Sequence, residues 1–464
     1  MICAKEKGAE LKNRRVLIVG LGKSGRAASL FASERGAFTV ATDIKKREEL
    51  GDLPEELEQK GIRVVAGRHI LEDFLASDLI VVSPGVPMNR EPFISARREE
   101  KKVIGEIEFA SLFLKGRMIG ITGSNGKSTT TSLIAWILSA AGLKSVACGN
   151  IGTPLIEMVA DDSADKFYAV ELSSFQLETI ETFRPFVSIL LNLSPDHLDR
   201  YDSYDSYVSA KGGIFRNQTG SDFAILNGDD RDSRIFEKFL KAGRLSFSSQ
   251  NPVEHGAFLR EGEIVLKLKE KEEILIGLDE IPLPGMHNVE NVMAASLAAK
   301  ICRVKNPLIR AAIMSFKGLP HRLEFIAEIR GISFYNDSKA TNVDSTIKAL
   351  NAFPGRKINL ILGGRDKGGD FTKLIPLIRE NVREVILTGE AKKKIRTQIE
   401  GSAPITEVMS VPEAIIRGFK IGSAGDLVLL APGCASFDAY RNYEERGDDF
   451  RSAVLELKEE LGDA

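Results

Sequence analysis

Short apolar runs rich in branched residues alternate along the chain with longer mixed stretches, and glycine-bearing turns separate them. Val16-Leu-Ile-Val19 runs into Gly20, and the pattern from Ser29 to Arg35 reads as a helix stopped by Gly36. Phe38-Thr-Val-Ala41 leads to Asp43, and Asp78-Leu-Ile-Val-Val82 leads to Ser83-Pro-Gly85. Strands alternating with helices predict a parallel sheet with crossover helices, here over residues 1 to about 105. The cycle restarts at Met118-Ile-Gly-Ile-Thr122, followed by a glycine-rich turn and an apolar helix from Ser128 to Ala141 that Gly142 stops. Phe167-Tyr-Ala-Val170, Phe186 to Leu191 and Phe223-Ala-Ile-Leu226 are further strands, and residues 256–280 read as a hairpin appendage, with the second domain ending near Gly318. A third cycle opens at His321 and runs through Ile332 to Tyr335, Ile358 to Leu362, Val385 to Thr388 and Leu427 to Leu430.

Composition narrows the function classes. At roughly 150 residues per domain, 464 residues suggest about three domains. Apolar residues at 43% and charged residues at 28% allow each domain a proper core and argue against disorder. Net charge is 63 − 65 = −2 with interspersed signs, which gives no footprint for nucleic acid or an anionic membrane. Cys3, Cys148, Cys302 and Cys434 lack paired spacing, so neither a disulfide framework nor a thiolate metal site is expected, and a reducing compartment fits. The N-terminus has no apolar core of signal-peptide length, and no run approaches the roughly 18 apolar residues of a spanning helix. A cytoplasmic monomer is the expectation.

Gly123-Ser124-Asn125-Gly126-Lys127-Ser128-Thr129 lies between a strand and a helix. There backbone N–H groups and the helix dipole can cradle phosphates, Lys127 neutralises charge and Ser128 reaches Mg²⁺. The full phosphate-loop pattern wants glycine where Ile121 stands, so this is a shorter variant. A ligand-free glycine turn is the plainer alternative, but strand, lysine and helix all fall in place for phosphate. Glu171 follows one strand and His197 another, at the carboxyl ends where ligands of open α/β sheets gather. Glu171 and Ser128 are hard oxygen ligands suited to Mg²⁺; a cap for the glutamate and a loop role for the histidine are the plainer alternatives. Lys211 reads from the residues alone as a solvated surface lysine, although a neutral amine near cations could take up CO₂ and become a carbamate.

Gly20-Leu-Gly22-Lys-Ser-Gly25, with Asp43 eighteen positions on, satisfies the dinucleotide fingerprint. NAD, a bare tight turn, or the diphosphate of another nucleotide all remain open on that motif, and the second phosphate loop weakens the redox reading. An NAD-dependent oxidoreductase and an ATP-binding regulator without catalysis are the competing classes. In the third cycle, His321-Arg322, Asp337-Ser-Lys339-Ala-Thr341, Lys367 and Ser436-Phe437 fall at strand ends, where the two lysines and the hydroxyls could hold a small carboxylate. The fold class is therefore α/β with three domains: Rossmann-like at 1–105, a central phosphate-loop mononucleotide-binding domain at 106–318, and Rossmann-like again at 319–464.

Gly123 to Ser128, Glu171-Leu-Ser-Ser-Phe-Gln-Leu-Glu178, Asp196-His-Leu-Asp-Arg-Tyr201, Gly285-Met-His-Asn288, Leu319-Pro-His-Arg-Leu-Glu324 and Asn336-Asp-Ser-Lys-Ala-Thr-Asn342 together resemble the Mur ligases, in order and across all three domains. The Asp-Ser-Lys-Ala-Thr-Asn stretch and Ala431-Pro-Gly-Cys-Ala-Ser-Phe-Asp438 resemble the branch that adds D-glutamate. The resemblance implies an ATP-dependent amide ligase of peptidoglycan precursor synthesis that activates the carboxylate of UDP-N-acetylmuramoyl-L-alanine as an acyl phosphate. It implies a UDP-substrate site at Ser24, Asp43, Ile44, Lys45, Ser83 and Gly85, continued by Asn150, Gln176 and His197. It gives Lys127 to the ATP phosphates and Asn288, Arg322 and Asp337 to other nucleotide contacts. Ser128 and Glu171 would hold one Mg²⁺, and His197 with a carbamylated Lys211 (N6-carboxylysine) a second. D-Glutamate would meet Thr341, Lys367, Ser436, Phe437 and Tyr443, so Lys127, His197 and Lys211 form the catalytic set on a chain that closes around its ligands.

Overall fold

The computed structural model describes residues 11–196, 200–269 and 271–462. Five parallel strands, β1 (Arg15–Val19), β2 (Phe38–Asp43), β3 (Arg63–Ala66), β4 (Leu79–Val82) and β5 (Val103–Gly105), form a first sheet in the order β3-β2-β1-β4-β5. Period-two alternation sends Val16, Ile18, Leu79 and Val81 into one buried cluster and Leu17, Val19, Ile80 and Val82 into another. Both faces of β1 and β4 are thus covered, as parallel sheets require. The helix after β1 spans Lys23–Glu34 rather than starting at Ser29, because its polar first turn is packed onto the preceding turn. A Cβ on Gly25 would stand 1.8 Å from the Gly20 carbonyl oxygen, so only glycine permits that approach.

The second sheet holds nine strands: β6 (Arg117–Thr122), β7 (Ser145–Gly149), β8 (Phe167–Glu171), β9 (Val187–Leu190), β10 (Phe223–Asn227), β11 (Gly243–Ser248), β12 (Gly256–Arg260), β13 (Glu263–Leu268) and β14 (Lys271–Gly277). Their order is β14-β13-β12-β11-β10-β9-β6-β8-β7. The hairpin expected at 256–280 exists, but it is the edge of this sheet and not an appendage: β12 pairs in parallel with β11, and β13 and β14 continue antiparallel. Gly256 makes that junction possible, since a Cβ there would lie 1.7 Å from the Ser246 carbonyl oxygen. β6 sits between β8 and β9, with Ile121 opposite Glu171 and Thr122 opposite Leu190, so three carboxyl ends adjoin at a switch point.

The first two sheets share a core in which Ile18, Ala27 and Val81 join Phe109, Tyr168 and Val170, and they belong to one compact unit, Met1–Leu278 with Glu290–Met314. Glu108, fully buried, accepts hydrogen bonds from the amides of Glu181, Thr182 and Phe183 and from the Thr182 hydroxyl, tying the end of the first sheet to the second. Neighbouring Glu106 accepts from Ile156 N at 2.7 Å through Oε1, while its buried Oε2 has no hydrogen-bond partner. Burial pushes the Glu106 carboxyl up to about 7. An unfolded glutamate titrates at roughly 4.3, so the folded state holds the extra proton and loses on the order of 3 kcal/mol as pH rises from about 4 to above 7. Glu106→Gln, which cannot ionise, is expected to melt higher than the parent above pH 7, with the gap closing towards pH 4. Calorimetric melting temperatures across that range check it, and a gap independent of pH would refute it.

The second unit comprises Asp279–Val289 and Ser315–Ala464. Its sheet has β15 (Glu324–Ile329), β16 (Ile332–Asn336), β17 (Ile358–Gly363), β18 (Val382–Thr388), β19 (Ile405–Glu407) and β20 (Leu427–Leu430), ordered β15-β16-β20-β17-β18-β19. All neighbours are parallel except β15 and β16. That exception matters, because it sets Glu324 opposite Asn336 and brings the segment from His321 to the rim where β16 and β20 end. No described helix is long and apolar enough to cross a membrane.

Candidate functional site

β6 ends at Thr122, and the loop 123–126 delivers the chain into the helix Lys127–Ala140. Gly123 (φ +148°) and Gly126 (φ +85°) supply backbone angles that other residues rarely adopt. A Cβ on Gly126 would also meet Asn291 Oδ1 at 2.3 Å, an atom that accepts the Thr130 hydroxyl at 3.1 Å. Lys127 folds back over the loop, its Nζ donating to the carbonyls of Gly123 (2.8 Å) and Ser124 (2.9 Å). Ser128 and Thr129 are buried in the first helical turn, which carries no acidic residue.

Lys211, read from its residue type as a surface lysine, is only 2% exposed at the end of the helix Tyr204–Gly212. Its Nζ donates to the Gly123 carbonyl at 2.9 Å, the same oxygen that Lys127 uses, and lies 4.8 Å from the Tyr207 ring centre. Burial, and after it the Lys127 charge, pull the Lys211 ammonium well below the ordinary lysine range, with Asp196 and Glu171 opposing. Glu171, the last residue of β8, accepts from Asn150 Nδ2 at 2.9 Å through Oε1, while Oε2 is buried without a partner. A buried carboxylate oxygen without a hydrogen bond, at the strand end beside the phosphate loop, fits a hard divalent cation held by Ser128 and Glu171. Among the described residues no group of three or more His, Cys, Asp and Glu could hold a metal by itself. His197 lies outside the described residues.

At the first sheet, the Ser83 hydroxyl donates to the Gly20 carbonyl at 2.6 Å, joining the carboxyl ends of β1 and β4. The Asp43 carboxylate accepts from Leu21 N (2.6 Å) and Lys45 N (2.9 Å), so both oxygens hold turns of its own sheet. Ser24 is half-buried, whereas Ile44 and Lys45 are exposed just past β2. Ser83 and Gly85 line a cleft with Gly105, Phe175, Gln176 and Arg200, so both sheets of this unit contribute walls. Gln176 is buried and its Oε1 accepts from Ser173 N at 2.9 Å. The Arg200 guanidinium lies 4.0 Å from the centre of the Phe175 ring. Phe175 and Arg200 stand inside two quoted motifs but were not among the candidates; an aromatic and a cation flanking Gln176 and His197 were the available signal.

In the second unit, Asp337 is buried and its carboxyl is pushed up to about 7 by burial, with Arg322 pulling the other way. Asn288 donates from Nδ2 to the Pro284 carbonyl at 2.7 Å. Backbone bonds pair Arg365 with Ala435, which brings the loop bearing exposed Lys367 beside the one bearing buried Ser436 and exposed Phe437. Thr341 is half-buried, and the Tyr443 ring carries Lys339 Nζ 3.6 Å from its centre. Arg446, absent from the candidates, is buried and donates to Ser338 Oγ (2.9 Å) and to the carbonyls of Ser338, Cys434 and Ala435, stitching the two loops together. Only its neighbours' carbonyls, distant in sequence, distinguish it from a surface arginine.

A phosphate-type loop at a sheet switch point, with two lysines on one carbonyl and an acidic strand end beside them, defines an α/β protein of the phosphate-loop nucleotide-binding class. Family models described as "Mur ligase MurD-like, N-terminal domain", "Mur ligase middle domain" and "Mur ligase, glutamate ligase domain" match residues 14–105, 121–299 and 321–434. The chain is 48% identical over 450 residues to a UDP-N-acetylmuramoylalanine–D-glutamate ligase of Acidobacterium capsulatum, covering 96% of this chain and 97% of that one. It is 43% identical to the protein of that name from Geobacter sp. (strain M21), covering 96% and 98%. In fold it is similar to a pseudomurein peptide ligase type C from Methanothermus fervidus, with TM-score 0.59 and 18% identity over 96% of this chain and 100% of that one. The chain belongs to the Mur ligase family.

Proposed function

We propose that this chain joins D-glutamate to UDP-N-acetylmuramoyl-L-alanine at the expense of ATP, in the cytoplasm and in the synthesis of peptidoglycan precursors. The observation that carries it is the shared Gly123 carbonyl of Lys127 and Lys211 beside the unpartnered Glu171 oxygen, in a chain matched nearly end to end by relatives of that name. Domains at 1–105, 106–318 and 319–464 then serve the UDP substrate, ATP and the amino acid in turn.

A carboxylate is a poor acyl donor because oxide would have to leave. Its oxygen therefore attacks the γ-phosphorus of ATP, the bond to the bridging oxygen breaks, and ADP departs, leaving an acyl phosphate. The amine of D-glutamate attacks the carbonyl carbon, loses a proton, and inorganic phosphate leaves with the electron pair. Lys127 swings from its own loop's carbonyls onto the phosphates and offsets their repulsion with the incoming carboxylate. Mg²⁺, two ions in this proposal, would supply charge neutralisation and alignment, held by Ser128 and Glu171 and by His197 with a carbamylated Lys211. The buried Lys211 amine is suited to that modification, in which nitrogen bonds the carbon of CO₂ and releases a proton. Ser24, Asp43, Ile44, Lys45, Ser83, Gly85, Asn150 and Gln176 would line the UDP substrate. Asn288, Arg322 and Asp337 would meet the nucleotide, and Thr341, Lys367, Ser436, Phe437 and Tyr443 would meet D-glutamate.

Phosphate release from the purified chain is expected only when ATP, Mg²⁺, UDP-N-acetylmuramoyl-L-alanine and D-glutamate are all present, and L-glutamate is expected to fail. Release that continues unchanged without the amino acid would end this proposal.

A further inference from the structure

Alongside the phosphate loop runs the segment that leaves β9, from Leu191 to Asp196, and the two are laced together. Ser124 N donates to the Asn192 carbonyl at 2.9 Å. The Ser124 hydroxyl donates to the Ser194 carbonyl at 3.0 Å, accepts from Ser194 N at 2.9 Å, and meets the Tyr207 hydroxyl at 2.8 Å. The spacing is close: a Cβ on Gly123 would stand 3.0 Å from Leu191 Cβ and 3.2 Å from Asn192 N.

The Asn192 side chain completes the lacing. Its Oδ1 accepts from Asn125 N at 2.8 Å and its Nδ2 donates to the Asn125 carbonyl at 3.1 Å. The Asn125 N–H belongs to the peptide before that residue and the carbonyl to the peptide after it. One amide therefore holds both peptide planes that flank a single Cα. The next residue is Gly126, in the left-handed region at φ +85°, and from it the amides of residues 127–129 open the helix. Glycine tolerates other backbone angles at no steric cost, so nothing in its own geometry keeps the loop in this one.

We propose that Asn192 is a positioning residue for the nucleotide's phosphates: it clamps the peptides on either side of Asn125 and so sets the direction of the amides that follow. Asparagine is suited to the task because a short side chain must present one acceptor and one donor together; aspartate keeps the acceptor alone and leucine has neither. The inference rests on the phosphate-binding role proposed above.

The test compares the full chain with Asn192→Leu and Asn192→Asp, varying each substrate in turn and measuring ADP–Mg²⁺ binding by calorimetry. In Asn192→Leu the KM for ATP and the Kd for ADP–Mg²⁺ are expected to rise roughly tenfold or more, from the loss of two hydrogen bonds. The KM values for the UDP substrate and D-glutamate should stay within about twofold, and Asn192→Asp should fall between leucine and the parent. Hydrogen exchange of the peptide covering residues 123–126 should quicken in the same order. Unchanged nucleotide affinity in both variants, or an equal rise in all three KM values, would overturn the clamp. Should the leucine variant fail to fold, the aspartate variant decides alone, and parental ADP affinity there overturns it. Because ADP binding is read without turnover, a chain that binds ADP–Mg²⁺ but makes no amide would sink the ligase proposal and leave the clamp standing.

Discussion

Lys127→Ala is expected to lower turnover by roughly two to three orders of magnitude, the cost of removing one charged donor from a developing oxyanion. In the described conformation Nζ donates to two carbonyls of its own loop, and the Gly123 carbonyl is also held by Lys211 Nζ. The melting temperature should therefore stay close to the parent's. Both carbonyls lie within four residues, and the ammonium must leave them to follow a phosphate; a compact point charge on a flexible stem can do so. Arginine is planar, longer and fixed in a fork, so Lys127→Arg should recover little. Rates of phosphate release under saturating substrates, with melting curves beside them, decide the matter. Turnover within tenfold of the parent in the alanine variant would remove Lys127 from the chemistry.

How much of this was legible in the chain follows from what burial does to sequence. β1, β4, β17 and β20 are sandwiched on both faces, so β4 and β20 read as unbroken apolar runs, β1 does so after Arg15, and β17 is interrupted only by the buried Asn359. β3, β5, β7, β15 and β19 were missed; all lie at sheet margins, where backbone pairing holds segments of mixed polarity or, as in Val103-Ile-Gly105, of only three residues. β11 lies inside its sheet, but Gly243-Arg-Leu-Ser-Phe-Ser248 interleaves polar residues with its two buried apolar ones, and no continuous run marks it. The site divides in the same way. Lys127 and Ser128 announce themselves because phosphate binding needs them at fixed spacing from glycine. Lys211, Asn192 and Arg446 do not, because what distinguishes each is the set of carbonyls it meets from far along the chain. Asp43 shows the converse: its spacing satisfied a dinucleotide fingerprint, yet its carboxylate is engaged by Leu21 and Lys45 amides of its own sheet.

Lys211→Ala is expected to cost turnover on the same scale, about 10²–10³-fold, but the recovery experiment is what gives the variant its meaning. Two roles are open to a buried lysine on the Gly123 carbonyl. As an ammonium it would brace the loop; as a carbamate it would present two oxygens to Mg²⁺ beside Glu171 and leave that carbonyl to Lys127. Burial and the Lys127 charge both work against the ammonium, whereas an amine that has taken up CO₂ gains an anionic end that the Lys127 charge favours. Short carboxylates such as formate or acetate should therefore restore part of the activity of Lys211→Ala. The recovery is partial because a tethered group acts at an effective concentration far above what added salt supplies. Methylamine should restore none. The reverse result, recovery with the alkylammonium and silence with the carboxylates, would assign Lys211 to bracing Gly123 and not to holding a cation.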